Sequence, residues 1–190
     1  MKKLNNYLFN LRAKKYLNAS VRERRFVSYD KAKTVLILFE SDFNEKNPVI
    51  RRLISSLQQD CKKVSAWGFI DKKEVTTAIL PDFRILHHKQ TDFFQKPDIS
   101  YINELENLEF DLLIDLTVHA ILPLQYIAMY ANASCKTGTR KNDLPVYDFM
   151  LDVENMELSE ESDESVENSI DETYIFNQII FYLKSIQTND

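Results

Sequence analysis

The chain has 190 residues, 44% hydrophobic and 28% charged, with a formal charge of −5. That length suits one domain with its own core, and no apolar run reaches the roughly 18 residues a bilayer-spanning helix needs. Gly68 and Gly138 are the only glycines, so neither a G-x-G-x-x-G nor a G-x-x-x-x-G-K-[ST] loop, whose glycines let backbone N–H groups approach a phosphate, can be built.

Residues 3–17 place Leu4, Tyr7, Leu8 and Leu11 at helical spacing with lysines and Arg12 around them, which predicts a short basic amphipathic helix. Its apolar stripe is expected to pack on the domain or on a second copy, with an anionic membrane surface as the functional alternative. Residues 20–32 have no clear period and read as a connector. KTVLILFE (33–40) reads as a strand buried on both faces, the kind found in parallel sheets. A helix capped by Asn47 and opened by Pro48 follows, with Val49, Ile50, Leu53, Ile54 and Leu57 as its stripe and an end near Asp60. Further strands are expected over 62–70 and 83–88, separated by a poorly defined turn or short helix at 71–80, and a short helix over 99–109. The clearest unit is the strand 110–118 and the helix 122–133 that Pro123 opens. Strands over 134–139 and 146–153 and an apolar closing helix over 172–186 complete the chain. The expected fold is a single Rossmann-like three-layer α/β domain with a mostly parallel sheet of about six strands, residues 33–190, preceded by the basic helix and connector 1–32.

Charge is unevenly spread. Residues 1–33 hold ten Lys/Arg against two acids, whereas residues 152–172 hold ten Asp/Glu and no Lys/Arg. A basic arm can contact anionic lipid, nucleic acid or the chain's own acidic segment, and the segment 154–171 has too little apolar surface to order itself, so a mobile acidic loop is expected there. Cys61 and Cys135 form no C-x-x-C pair, which fits two reduced core cysteines in a cytosolic protein. The basic opening lacks the continuous apolar core and small-residue cleavage site of a signal peptide.

In an open parallel sheet, ligands sit beyond the carboxyl ends of the strands where the strand order reverses. That rule selects Glu40, Ser41 and Asp42 after the first strand, Thr117 and His119 after the fourth, and Thr139 and Arg140 after the fifth. An Asp and a His across one crevice could do general base work, and an Arg could hold an anion; the same residue types also close strands and cap helices. The catalytic candidates are therefore Asp42 and His119, and the ligand-binding candidates Ser41, Thr117, Thr139 and Arg140. Asp115 lies inside a buried strand and must be paired or hydrogen-bonded. His87 and His88, adjacent on a strand, point to opposite faces and cannot easily share a metal. Cysteine and histidine spacings offer no zinc site, and no cofactor is expected. Most aromatics lie in apolar runs, which argues against nucleic acid as a partner.

The D-x-L-I-D-L strand (Asp111 to Leu116), the P-L-x-Y-I helix start (Pro123 to Ile127), the K-x-G turn (Lys136 to Gly138) and Y-D-x-M-x-D (Tyr147 to Asp152) resemble a family of short, uncharacterised bacterial proteins classed as a domain of unknown function. The likeness covers about residues 1–186, implies a fold and supplies no activity. A more distant likeness is to the acceptor-side half of heptosyltransferase-like glycosyltransferases of the GT-B type. Their first strand leads into a G-D-x-x-x-x-x-P loop whose Asp is the base for the acceptor hydroxyl. Here Asp42 and Pro48 stand at that spacing and Ser41 replaces the glycine. Such enzymes close a second Rossmann-like domain over the donor sugar nucleotide, and the chain ends where that domain would begin. The functional expectation is a cytoplasmic, non-catalytic binding or assembly module with a protein partner or a second copy. The alternatives are a small enzyme or ligand-binding domain, and a protein held peripherally at the inner face of the membrane through residues 3–17.

Overall fold

Five consecutive apolar residues cannot alternate between solvent and core, so a strand made of them must be covered on both faces. Val35 to Phe39 obey this: they form the heart of β1 (Thr34–Glu40) and are all buried. In the computed structural model, residues 2–19, 22, 24–42, 46–71, 83–141, 144–153 and 170–186 are described. The turn or short helix expected at 71–80 and the mobile acidic loop expected at 154–171 fall almost wholly outside them.

Helix α1 (Lys2–Ala19) comes first, then β1 and α2 (Lys46–Gln59), β2 (Lys63–Ile70) and β3 (Arg84–His87). A 3-10 turn (His88–Gln90) leads to α3 (Ile99–Glu106), β4 (Glu109–Asp115), α4 (Leu122–Tyr130), β5 (Asn132–Thr139), β6 (Phe149–Leu151) and α5 (Glu172–Ser185). The six strands form one sheet in the order β3-β2-β1-β4-β5-β6, and every pairing is parallel. This is the doubly wound arrangement, with its strand order reversing between β1 and β4.

Two apolar layers enclose the sheet. On one face Val35, Ile37 and Phe39 of β1 meet Ile50, Leu53 and Leu57 of α2, Ile175 and Ile179 of α5, and Val27, Tyr29 and Ala32 of the connector. On the other, Leu36 and Leu38 meet Phe9 and Ala13 of α1, Leu105 of α3 and Leu124, Ile127 and Ala128 of α4. The alternation along β1 follows from the two-residue strand repeat.

Some elements differ from their sequence-based bounds. Asn132 and Ala133, expected in the α4 helix, begin β5 instead, because Ala131 leaves helical geometry at ψ 131. The expected strand 146–153 pairs only over Phe149–Leu151, since Val146 and Tyr147 turn into the α1/α4 layer. Cys61, expected in the core, is exposed.

The largest difference concerns α1. Leu4, Tyr7 and Leu11, expected to pack on the domain or on a second copy with a membrane surface as the alternative, do not pack on the domain: they are 52%, 59% and 48% exposed. Asn5, Phe9 and Ala13 are buried in their place, with Phe9 edge-on to Tyr126 of α4 at 4.9 Å between ring centroids. At roughly 100° per residue, these two sets lie on opposite sides of the helix. The aromatic Phe9 and the small Ala13 match the α4 surface, and the leucine row is left outward.

Candidate functional site

At the carboxyl edge, β1 ends at Glu40, and Ser41 and Asp42 leave the sheet where the strand order turns. Ser41 is buried; its N–H donates to the Phe69 carbonyl at 2.8 Å and its hydroxyl to Asn47 Oδ1 at 2.9 Å. The Asn47 amide nitrogen beside it is buried and has no hydrogen-bond partner among the described residues. Asp42 is half-buried and His119 is exposed on the bend after β4. Thr117 is buried, and both its N–H (2.9 Å) and its hydroxyl (2.7 Å) donate to Asp115 Oδ1. Thr139, also buried, donates its hydroxyl to the Thr117 carbonyl at 2.8 Å. Arg140 is exposed and faces Asp152 at 3.5 Å. The structure therefore joins Thr117 to Thr139, holds Ser41 against α2, and places Asp42, His119 and Arg140 on three neighbouring strand ends.

The most charged feature of this edge is one the sequence reading left incomplete. Asp115 is fully buried, and its second oxygen accepts from Lys141 Nζ at 2.5 Å and from the Tyr147 hydroxyl. With the two donors from Thr117, the carboxylate has four, which fills its acceptor capacity. The side chain of Lys141 is 1% exposed. Burial drives its amine below the usual lysine range, against the pull of Asp115, and drives the Tyr147 phenol well above its own. Neither can reach solvent. Chemically the group is a closed latch fastening the end of β4 to the segment after β5, and a substrate could not enter without breaking it.

The amino-terminal side of the sheet is latched in the same manner. Asp111 Oδ2 accepts from the N–H groups of Lys33 (2.8 Å) and Thr34 (2.9 Å) and from the Thr34 hydroxyl (3.1 Å), which fixes β1 to β4. Partial burial pushes this carboxyl up, and those donors more than offset it, leaving it below the usual range. Asp148 accepts from the Lys136 N–H at 2.9 Å and pairs with Arg22. The Lys136 amine is buried against the last carbonyls of α4, Ala128 at 2.7 Å and Met129 at 3.1 Å, and burial brings it down to about 7. A cavity of about 260 Å³ lies over it, bordered by Arg22, Arg24, Glu106 and Tyr130. A second, of about 520 Å³, opens at Arg25, Asp111 and Asn132. Both lie away from the carboxyl edge where the sequence placed its candidates.

Lys141, Tyr147 and Lys136 are not among the sequence candidates; a signal exists for Lys136 and Tyr147, and none for Lys141. Asp111, Asp115, Lys136, Gly138, Tyr147 and Asp148 all stand in the short motifs that carried the family resemblance, and in the folded chain they belong to three latches, centred on Asp111, Asp115 and Asp148. His87 caps the start of the 3-10 turn by accepting from the Lys89 N–H, while His88 pairs with Asp71. Among the described residues no group of three His, Cys, Asp or Glu could hold a metal ion, and no helix is long and apolar enough to cross a membrane.

The remaining candidate is the outer side of α1, where Leu4, Tyr7 and Leu11 form an exposed row bordered by exposed Lys3, Lys14 and Lys15. Fold and latches together define a Rossmann-like three-layer α/β domain whose buried charges are internally satisfied. The chain matches a family of unknown function (DUF6913) over residues 6–186 and belongs to that family. No curated protein and no solved structure matches it.

Proposed function

We propose that the chain is a non-catalytic binding module whose contact surface is the outward side of α1. The observation that carries this reading is the exposure of Leu4, Tyr7 and Leu11 on a helix whose opposite side is anchored by Phe9 and Ala13. Exposing leucines on an otherwise well-packed helix offers no folding advantage, and a contiguous apolar row rimmed by charge is a usual mark of an interaction surface. The carboxyl edge lends less support to catalysis, because Ser41, Thr117 and Thr139 have hydrogen-bond partners within the fold.

A photo-crosslinking residue placed at position 7 of the full chain, in cells that make it, tests the proposal. Adducts well above those from exposed Asn107 are expected, and equal background at both positions would remove it. The second reading is a ligand-binding domain related to the acceptor half of a glycosyltransferase. Its support is the Asn47 amide beside Ser41 at the switch point, unpartnered among the described residues. A thermal-shift screen with sugars and sugar nucleotides tests it, since a ligand at 100 times its dissociation constant adds about 2.7 kcal/mol.

A further inference from the structure

Resting on that reading, we propose that the occupant of the α1 face is an anionic membrane surface, which the protein grips through Leu4, Tyr7 and Leu11 and through a second anchor, Phe93. Three observations favour lipid. The first is arrangement. At about 100° per residue, Leu4, Tyr7 and Leu11 form one narrow row, with Lys3 and Lys14 along one border and Lys15 along the other. Lysines on both borders of an apolar row can bury their stems beside it while their amines reach lipid phosphates, whereas lysine is depleted at the centre of protein interfaces.

The second observation is shape. The row stands on the outside of a helix whose other side is packed on α4. A projecting helix suits a soft, flat surface, while a peptide partner needs a groove to enter. The third is charge. Residues 2–19 and 88–97 hold seven Lys/Arg and one carboxylate, Asp92, within a chain whose total is −5. A locally cationic surface is drawn to an anionic one even when the whole chain is acidic, because near-surface charge dominates within a Debye length.

The loop 92–96 touches α1 on the flank that carries Arg12, roughly 100° round from the leucine row. The Arg12 guanidinium lies over the Phe94 ring at 5.4 Å, and Phe93 meets Phe94 edge-on at 5.3 Å. Phe93 itself is 71% exposed, and Lys96 follows it. A phenylalanine ring presented beside a cationic helix can bury at the boundary between headgroups and acyl chains. By contrast, Phe181 on α5, 63% exposed, has Lys184 as the only cation on its helix and serves as a control.

The test is co-flotation of the full chain with phosphatidylcholine vesicles, with and without phosphatidylserine. Binding is expected only on the anionic vesicles and should weaken with salt. It should fall by about tenfold or more in Lys14→Glu/Lys15→Glu, and fall in Leu4→Ser/Leu11→Ser and in Phe93→Ser, while Phe181→Ser binds like the native chain. All these positions are exposed, so unchanged thermal melts will show that the variants fold. Absence of flotation at low salt, or binding indifferent to the lysine swap, overturns the lipid proposal. If flotation fails while crosslinks from position 7 persist, to protein or to nucleic acid, the module reading stands and lipid is wrong. If both fail, both fall.

Discussion

Neither glycine adopts positive φ, so both are there for space. A Cβ on Gly68 would meet Ile85 Cδ1 and Phe39 Cζ at 2.8 Å, and one on Gly138 would meet Asp115 Cβ and Tyr147 Cε1 at 3.1 Å. Gly138 is thus what lets Tyr147 close over Asp115. Lys136 provides the sharpest residue-scale prediction. Its amine titrates near 7 in the folded chain, against 10.5 as its ordinary value. Between those pH values the unfolded chain holds the extra proton, so stability rises with pH; the gain is complete above about 10.5 and is lost as pH falls through 7. Relative to Lys136→Met, the native chain should gain up to about 1.4 kcal/mol per pH unit between pH 7 and 9 in urea melts. Parallel curves for the two proteins would mean that the amine is solvated. At this scale the sequence showed that Asp115 needed a partner, since a buried carboxylate must have one. It could not show that Lys141 and Tyr147 supply it, because both lie more than twenty positions away and only the sheet brings them near.

At the scale of elements, α2 closes with a Schellman motif. The Cys61 N–H donates to the Gln58 carbonyl at 2.9 Å and the Lys62 N–H to the Leu57 carbonyl at 3.0 Å, with Cys61 at φ 58. That left-handed position favours glycine, so Cys61→Gly should stabilise the chain by about 0.5–1 kcal/mol, read as a raised urea midpoint; a loss would refute the strain argument. Helix α1 teaches a different lesson. Its periodicity marked it correctly as a helix, but it has apolar residues on two opposite sides, and spacing alone cannot tell which side meets the core. The leucine row is the side expected to meet the domain, a second copy or a membrane, and within the chain it is Phe9 and Ala13 that fit against Tyr126 and α4. Phe9→Ala should therefore cost about 3 kcal/mol, whereas Leu4→Ser should change stability by less than about 0.5 kcal/mol. Thermal melts of the two variants check this, and a reversed order would place α1 wrongly.

For the whole molecule, the arm cannot be separated from the domain. The connector places Val27, Tyr29 and Ala32 in the core, and the buried Lys62 amine donates to the carbonyls of Tyr29 (2.6 Å) and Ala32 (2.8 Å). A chain starting at Lys33 would leave that amine unpaired and expose the faces that Phe9 and Val27 cover. It should lose its sharp near-ultraviolet dichroism and its cooperative melt, and a truncated chain that melts like the native one would disprove the coupling. Point substitutions on the outward side of α1 are for this reason a cleaner functional probe than deletion.

Taken alone, the sequence determined the layered α/β fold with its parallel sheet. Apolar runs such as Val35 to Phe39 leave no other way to cover a strand, and Pro48 and Pro123 mark helix starts by local backbone chemistry. It also determined that no glycine-rich phosphate loop exists. Only the tertiary structure decided which side of α1 is buried, which donors reach Asp115, and that the candidate hydroxyls at the carboxyl edge are held in internal bonds. Those outcomes depend on which distant segments become neighbours, and strand order, which no local pattern encodes, sets that.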